Sequence, residues 1–135
     1  MGNAKILVVD DEQDMRIFVS TVVETLGFEP MVAKDGVDAL EKARLNPPAL
    51  VILDVMMPKI DDGIQTYRQF RTDPSLAHIP IIMLSAIAKK TFLHSIKMLS
   101  PQQGSQLPEP EAYMEKPPDA NELSRLITEL LPSGS

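Results

Sequence analysis

Polar side chains stand directly after several of the most apolar stretches of the sequence. Asp10 and Asp11 follow the branched aliphatic run ILVV, and Asp54 follows LVIL. The run PIIML ends at Ser85, and the short stretch AYME is followed by Lys116. Carboxylate, hydroxyl and ammonium groups can bind a divalent cation or stabilise a phosphoryl group, provided that the fold brings them together.

The apolar runs have the length and composition of buried β-strands, and helical patterns separate them. Strands are predicted at 4–10, 29–34, 49–55, 80–86 and 112–116. The apolar residues at helical spacing are Met15, Phe18, Val19, Val22 and Leu26, then Val37, Leu40 and Ala43, then Ile64, Tyr67 and Phe70, then Phe92, Ile96 and Leu99, and finally Leu123, Leu126, Ile127 and Leu130.

The ends of two helices carry recognisable signals. Gly27 is a plausible stop for the first helix, and Asp35 can cap the second, which is predicted to carry Val37, Leu40 and Ala43 toward the core. Five alternations of strand and helix predict an α/β fold, a parallel sheet with helices on both faces and right-handed crossovers.

The carboxyl ends of parallel strands lie at one edge of the sheet, and neighbouring strands are about 4.8 Å apart. Three acids that converge there repel one another unless a cation such as Mg²⁺ neutralises them. Asp54 could then act as a nucleophile toward phosphorus, with Lys116 and Ser85 as donors to the product. Taken singly, each residue has a simpler reading, as a helix cap, a turn residue or a solvated charge. Their joint position at strand ends favours a site.

Composition limits the classes of protein that remain. The chain has 135 residues, which predicts one domain spanning 1–135 with a core of about 4–131. A formal net charge of −6 disfavours direct binding to nucleic acid or an anionic membrane. The absence of cysteine excludes disulfides, thiolate metal sites and a cysteine nucleophile. Without a membrane-spanning run or a signal peptide, a cytoplasmic protein is the simplest interpretation.

Four motifs, in order along the chain, resemble the receiver domains of bacterial two-component response regulators. They are VDDE (9–12), LDVMMP (53–58), LSA (84–86) and YMEKPPD (113–119). The resemblance implies a flavodoxin-like (βα)5 fold, a doubly wound five-stranded parallel sheet in the order 2-1-3-4-5. It also implies that the protein accepts a phosphoryl group from a sensor histidine kinase or phosphotransfer protein and acts on a downstream effector, with a homodimer possible.

The same resemblance implies roles for individual residues. Asp54 matches the phosphoacceptor, and the Lys116–Pro117 bond is expected to be cis. The implied Mg²⁺ ligands are Asp10, Asp11, Asp54 and the backbone carbonyl of Met56. The residues implied to respond to phosphorylation are Lys116, which pairs with the phosphate, the switch hydroxyl of Ser85 and the switch aromatic Tyr113.

Two stretches depart from the family pattern. MPKIDDG contains one residue more than usual, most simply Asp62 before Gly63. The stretch 100–111, SPQQGSQLPEPE, holds three prolines, shows no hydrophobic periodicity and predicts an extended loop between the fourth helix and the fifth strand. PEPEA replaces the usual Gly-Ala before the switch aromatic. The active-site residues are therefore carried over, but not the interface that many receivers form with this region.

Three other functions are conceivable from the sequence. A receiver-like binding module that works without phosphorylation is motivated by the altered segment 87–111. A phosphatase resembling the haloacid-dehalogenase group would need an acid two residues after its nucleophile, where this chain has Met56. A P-loop NTPase would need a G-x-x-x-x-G-K-[ST] motif, which does not occur. The expected protein is a signalling module and not an enzyme. Because only PSGS follows Leu131, it is either a stand-alone regulator or part of a longer chain.

Overall fold

Strands and helices alternate along the whole of the described chain. The computed structural model describes residues 4–56, 60–99 and 107–131. The strands are β1 (Lys5–Val9), β2 (Glu29–Ala33), β3 (Leu50–Leu53), β4 (Ile81–Ser85) and β5 (Ala112–Glu115). The helices are α1 (Gln13–Thr25), α2 (Gly36–Leu45), α3 (Ile60–Thr72), α4 (Lys89–Leu99) and α5 (Ala120–Leu130). Each predicted strand and helix is present, with strand ends shifted by one or two residues.

The five strands form one parallel sheet in the order β2-β1-β3-β4-β5, as the resemblance to receiver domains implied. The chain leaves β1 for β2 on one side and later returns to place β3 on the other side of β1. The carboxyl ends of β1 and β3 therefore flank the point at which the strand order reverses. Open α/β sheets bind ligands in the crevice at this point.

Two apolar cores cover the two faces of the sheet. One contains buried side chains of α1 and α5 together with Ile6, Val8 and Ile52. The other contains side chains of α2, α3 and α4 together with Leu7 and Val51. Successive residues of a strand point to opposite faces, so continuous aliphatic strands are required to supply both cores. Among the residues described, no helix is long and apolar enough to cross a bilayer.

The second helix corrects one prediction. Val37 does not face the core, since 71% of its surface is exposed. The buried face of α2 is formed by Ala39, Leu40 and Ala43. At 100° per residue, Val37 lies about 200° from Ala39 and therefore on the solvent side.

The predicted signals at the ends of two helices are confirmed. At the start of α2, the Asp35 side chain accepts a hydrogen bond from the Asp38 N–H at 2.8 Å. After the end of α1, Gly27 has a φ of +92°.

Gly63 lies in the first part of α3, against the backbone that follows β3. A Cβ atom at position 63 would stand 1.8 Å from the carbonyl oxygen of Val55, so only glycine fits there. Asp62, most simply the additional residue, also lies in helix α3. Residues 57–59, which belong to the LDVMMP and MPKIDDG stretches, and residues 100–106 of the predicted loop lie outside the described part of the chain.

We expect Gly63→Ala to lower the free energy of unfolding by about 2 kcal/mol or more, because the new methyl group meets backbone that cannot rotate away. At Gly27 a Cβ atom meets nothing within 4 Å, and only the positive φ opposes substitution. Gly27→Ala should therefore cost less, about 1 kcal/mol. Urea unfolding of the two variants measures the difference. A Gly63→Ala protein as stable as the parent would show that the contact is relaxed in solution.

Candidate functional site

Strand register brings two aspartates together at the carboxyl edge of the sheet. Val9 of β1 is aligned with Leu53 of β3, so Asp10 and Asp54 are the next residues on neighbouring strands. The ladder continues past the strand ends, since the Asp54 N–H donates to the carbonyl oxygen of Val9 at 2.9 Å. Both aspartates are buried, with 2% of Asp10 and 3% of Asp54 exposed. The fold thus places two carboxylates side by side with little access to water.

Four acids form one cluster at this edge. Asp10, Asp11, Glu12 and Asp54 can each offer one carboxylate oxygen such that these atoms lie within 4.8 Å of one another. Asp11 and Glu12 are exposed, whereas the other two are buried. The cluster is therefore open to solvent on one side and closed by the sheet on the other.

Lys116 reaches this cluster from the end of β5, two strands away from Asp54. The Lys116 N–H donates to the carbonyl oxygen of Ser85 at 2.7 Å, which continues the β4–β5 ladder by one residue. The ammonium Nζ lies 2.8 Å from Glu12 Oε1, 3.1 Å from Asp10 Oδ2 and 3.3 Å from Asp54 Oδ2. The Lys116–Pro117 bond is cis, as expected.

Backbone donors fix the orientation of both buried aspartates. Asp10 Oδ1 accepts a hydrogen bond from the Glu12 N–H at 2.9 Å, and Asp54 Oδ1 accepts one from the Met56 N–H at 3.0 Å. Arg16 Nη1 donates to the backbone carbonyl of Asp10 at 2.7 Å. In each carboxylate one oxygen is thereby held by the backbone, and Oδ2 is the atom turned toward Lys116.

The electrostatics follow from this burial. The pKa of Asp54 is raised from 3.8 to about 7, mainly by desolvation and next by the neighbouring charge of Asp10. Burial also raises the pKa of Asp10. Burial alone would lower the pKa of Lys116, but its hydrogen bond to Glu12 and the charges of the two aspartates outweigh this effect and raise it. Lys116 is therefore a permanent cation at neutral pH, while Asp54 is only partly ionised.

Ser85 and Tyr113 are connected through the backbone of Ile87. The Ile87 N–H donates to Ser85 Oγ at 3.2 Å, and the Tyr113 hydroxyl donates to the Ile87 carbonyl oxygen at 2.7 Å. Ser85 is fully buried and Tyr113 is partly buried. Burial is the largest cause that raises the pKa of Tyr113 to about 12, so the phenol is protonated and can donate. Despite the unusual segment between the two residues, they are linked at the carboxyl edge of the sheet.

The donor set fits a hard divalent cation. Carboxylate oxygens that converge within 4.8 Å, two on buried and two on exposed residues, suit Mg²⁺, which binds few protein carboxylates and retains several waters. Among the described residues, the cation that pairs with these acids is Lys116, which contacts three of the four: Asp10, Glu12 and Asp54. The excess of negative charge leaves room for a further cation. The backbone carbonyl of Met56 is not involved in any contact described here.

Two contacts of the site were not predicted. Glu12 is the acid nearest to Lys116, and Arg16 supports the loop that carries Asp10. The signal for Glu12 was present in the sequence, because it is the third acid of the DDE run after β1. Arg16 had no such signal, since an arginine in the first turns of a helix is common. His78 and His94 are exposed, and no contact described here connects them with the site.

Comparison with known proteins identifies the family to which this chain belongs. The family model of the response regulator receiver domain matches residues 6–102. The chain is 31% identical over 117 residues to the polar-differentiation response regulator DivK of Brucella anthropi, covering 87% of this chain and 86% of DivK. The chemotaxis protein CheY4 of Vibrio cholerae has a similar structure, with a TM-score of 0.78, 27% identity and coverage of 96% of this chain and 100% of CheY4.

A third relative is longer. The chain is 43% identical over 84 residues to the alkaline phosphatase synthesis transcriptional regulatory protein PhoP of Bacillus subtilis, covering 62% of this chain and 34% of PhoP. The match thus spans about a third of that relative. These findings show that the chain belongs to the response regulator receiver domain family. It is a receiver domain of two-component signal transduction, a class of signalling modules.

Proposed function

We propose that Asp54 is the phosphoacceptor of this receiver and that Asp10, Asp11, Asp54 and the Met56 carbonyl hold the Mg²⁺ ion that the reaction requires. The observation that carries the proposal is the convergence of the four acids within 4.8 Å, with Lys116 Nζ 3.3 Å from Asp54 Oδ2. Asp54 Oδ2 faces this cation, while Oδ1 is held by the backbone N–H of Met56. The nucleophilic atom is therefore oriented before a phosphodonor arrives.

The reaction that fits this arrangement is transfer from a phosphohistidine. An Asp54 carboxylate oxygen forms a bond to phosphorus as the P–N bond of the donor breaks, and the freed imidazole takes up a proton. Mg²⁺, when bound, neutralises charge on the carboxylates and on the phosphoryl oxygens. In this proposal Lys116 pairs with a phosphoryl oxygen, and Ser85 and Tyr113 respond through Ile87. The ion pair of Lys116 with Asp54 and the hydrogen bonds of Ile87 with Ser85 and Tyr113 support these roles. Phosphorylation adds about −1.5 to −2 charge at this one position.

The proposal extends to partners and location. The phosphodonor is a sensor histidine kinase or a phosphotransfer protein, the recipient of the signal is an effector protein or domain, and a homodimer is possible. We propose one receiver domain over 1–135, working in the cytoplasm without direct contact to nucleic acid or membrane. Met56 stands where an aspartyl phosphatase would need its second acid, so a signalling module without turnover is the better assignment.

The test is phosphorylation by a small-molecule donor such as phosphoramidate, followed by intact-mass measurement and peptide mapping. We expect one phosphoryl group per chain, on Asp54, at millimolar Mg²⁺, and almost none after EDTA treatment. The dependence arises chiefly because Mg²⁺ neutralises charge on the carboxylates and on the phosphoryl oxygens. Protonation of Asp54, whose pKa is about 7, lowers incorporation at neutral pH by only a factor of about two.

Two outcomes would contradict the proposal. Equal incorporation with EDTA would show that the reaction does not require Mg²⁺. A phosphoryl group on another residue would show that Asp54 is not the phosphoacceptor. A protein that neither binds Mg²⁺ at millimolar concentration in an NMR titration nor accepts a phosphoryl group would instead be the phosphorylation-independent binding module.

A further inference from the structure

Hydrogen bonds and an ion pair hold residues 107–111 against α3 and the start of β4. These residues are the end of the segment that departs from the family pattern. The Tyr67 hydroxyl on α3 donates a hydrogen bond to the backbone carbonyl of Pro108. Arg71 Nη2, one turn further along α3, lies 2.6 Å from Glu111 Oε1. The Ile81 N–H donates to the same carboxylate oxygen at 2.7 Å. One carboxylate thus binds the entry of β5 to two other elements.

The Arg71 guanidinium is buried and bound by several partners. Its side chain is 4% exposed, Nη1 donates to the Ile79 carbonyl oxygen at 3.2 Å, and Nε donates to the Tyr67 hydroxyl at 3.2 Å. The guanidinium carbon lies 5.1 Å from the centre of the Tyr67 ring. A buried guanidinium requires its acid partner, because an unpaired charge in this position is costly. Tyr67, Arg71 and Glu111 therefore act as one unit, which we call the anchor.

The anchor is linked indirectly to Tyr113, the proposed switch aromatic, by two routes. Glu111 precedes Tyr113 by two residues, so its carboxylate sets where the backbone enters β5. The Tyr67 ring also packs edge-on against Phe92, with ring centres 5.8 Å apart, and Phe92 packs against Tyr113 at 5.6 Å. The row of rings continues through the Tyr113 hydroxyl to Ile87 and from there to Ser85.

We propose that Tyr67, Arg71 and Glu111 are positioning residues that hold Tyr113 in its observed inward position against Phe92 and Ile87. In this chain PEPEA stands where the family has Gly-Ala, and the ion pair between Glu111 and Arg71 provides the fixed entry to β5. The significance of this position for signalling rests on the proposed role of Tyr113 as a switch. The placement of the ring itself does not depend on that role.

The test uses the fact that the chain has only two tyrosines and no tryptophan. Ring-labelled tyrosine gives NMR signals from Tyr67 and Tyr113 alone, and Tyr67→Phe assigns them. In metal-free, unphosphorylated Glu111→Ala we expect the Tyr113 ring signals to shift and its NOEs to Phe92 to weaken. In Glu111→Gln, which can still accept from the Ile81 N–H, the shift should be smaller than in Glu111→Ala.

Glu109→Gln is the matched control, since it removes a carboxylate from the same segment. Glu109 is 60% exposed and pairs with Lys89 at 3.6 Å, outside the anchor. Its Tyr113 signals should match those of the parent protein. If Glu111→Ala does not fold, the comparison of Glu111→Gln with Glu109→Gln decides by the same criterion.

The inference would be overturned if the Tyr67 signals moved in the Glu111 variants while those of Tyr113 stayed unchanged. That result would show a broken anchor without any effect on the switch aromatic. Because the measurement involves no metal and no phosphodonor, a failure of Asp54 to accept a phosphoryl group would leave it intact. Conversely, normal phosphorylation together with Tyr113 signals that do not change in the Glu111 variants would overturn only the positioning role proposed for the anchor.

Discussion

Asp54→Asn should accept no phosphoryl group and, without metal, should be more stable than the parent protein at pH 8 by roughly 2–4 kcal/mol. The first effect follows from loss of the proposed nucleophile. The second follows from the pKa of Asp54, which lies near 7 in the folded protein against its ordinary value of 3.8. Asparagine keeps a side-chain oxygen for the Met56 N–H but removes a buried charge beside Asp10.

The sign of the pH dependence can be checked separately. Between about pH 4 and 7 the folded parent protein holds a proton on Asp54 that the unfolded chain has lost, so its stability falls as the pH rises through this range. In Asp54→Asn this fall should be largely absent, with a remainder from Asp10, whose pKa is also raised. Urea unfolding from pH 4 to 8 in EDTA measures both curves.

Asp14→Asn is the matched control for this prediction, because Asp14 is an exposed acid in the first turn of α1. It should retain phosphorylation and the pH profile of the parent protein. Equal stability of Asp54→Asn and parent protein at pH 8 would show that the carboxylate is not desolvated in solution. Undiminished incorporation into Asp54→Asn would end its assignment as phosphoacceptor.

Lys116→Met should lower the free energy of unfolding of the metal-free protein by about 2–4 kcal/mol at pH 8. Lys116 is 11% exposed and lies within 3.3 Å of two buried aspartates, so its removal leaves their charges without this partner. The loss should be smaller at pH 5, where Asp54 is largely protonated. Mg²⁺ should restore much of the stability, because it replaces the missing positive charge.

A second measurement distinguishes this electrostatic explanation from simple loss of packing. The variant should bind Mg²⁺ more tightly than the parent protein, since the ion no longer competes with an ammonium group for Asp10 and Asp54. Lys89→Met is the control, as Lys89 is 52% exposed and pairs only with the exposed Glu109 in the contacts described here. A loss of stability in Lys116→Met that is independent of both pH and Mg²⁺ would contradict the explanation.

Patterns in the sequence were sufficient for the architecture. Continuous aliphatic runs between helical patterns predicted five parallel strands, the receiver-like motifs implied their order, and both were confirmed. The same reasoning placed Asp10, Asp54, Ser85 and Lys116 at carboxyl strand ends, where the structure has them. Such predictions succeed because burial on both faces of a parallel sheet forces a residue pattern that depends on neighbours along the chain.

The same patterns failed where a helix face depends on its neighbours in space. Val37 has helical spacing to Leu40, yet it is exposed, because the adjacent sheet and helix α3 cover the face around Ala39. The altered segment before β5 left the position of Tyr113 open. The structure instead shows Glu111 in contact with Arg71 and Ile81, two partners that are 40 and 30 residues away.

The sequence by itself therefore determined the class of fold and the edge at which the chemical groups lie, because these depend on local periodicity and on the geometry of parallel sheets. Only the tertiary structure decided which groups touch. Lys116 lies beyond residues 6–102, which the family model matches, yet its ammonium group contacts Glu12, 104 residues earlier. Such a contact depends on the register of separate strands and on the charges left after burial, and no local pattern encodes either.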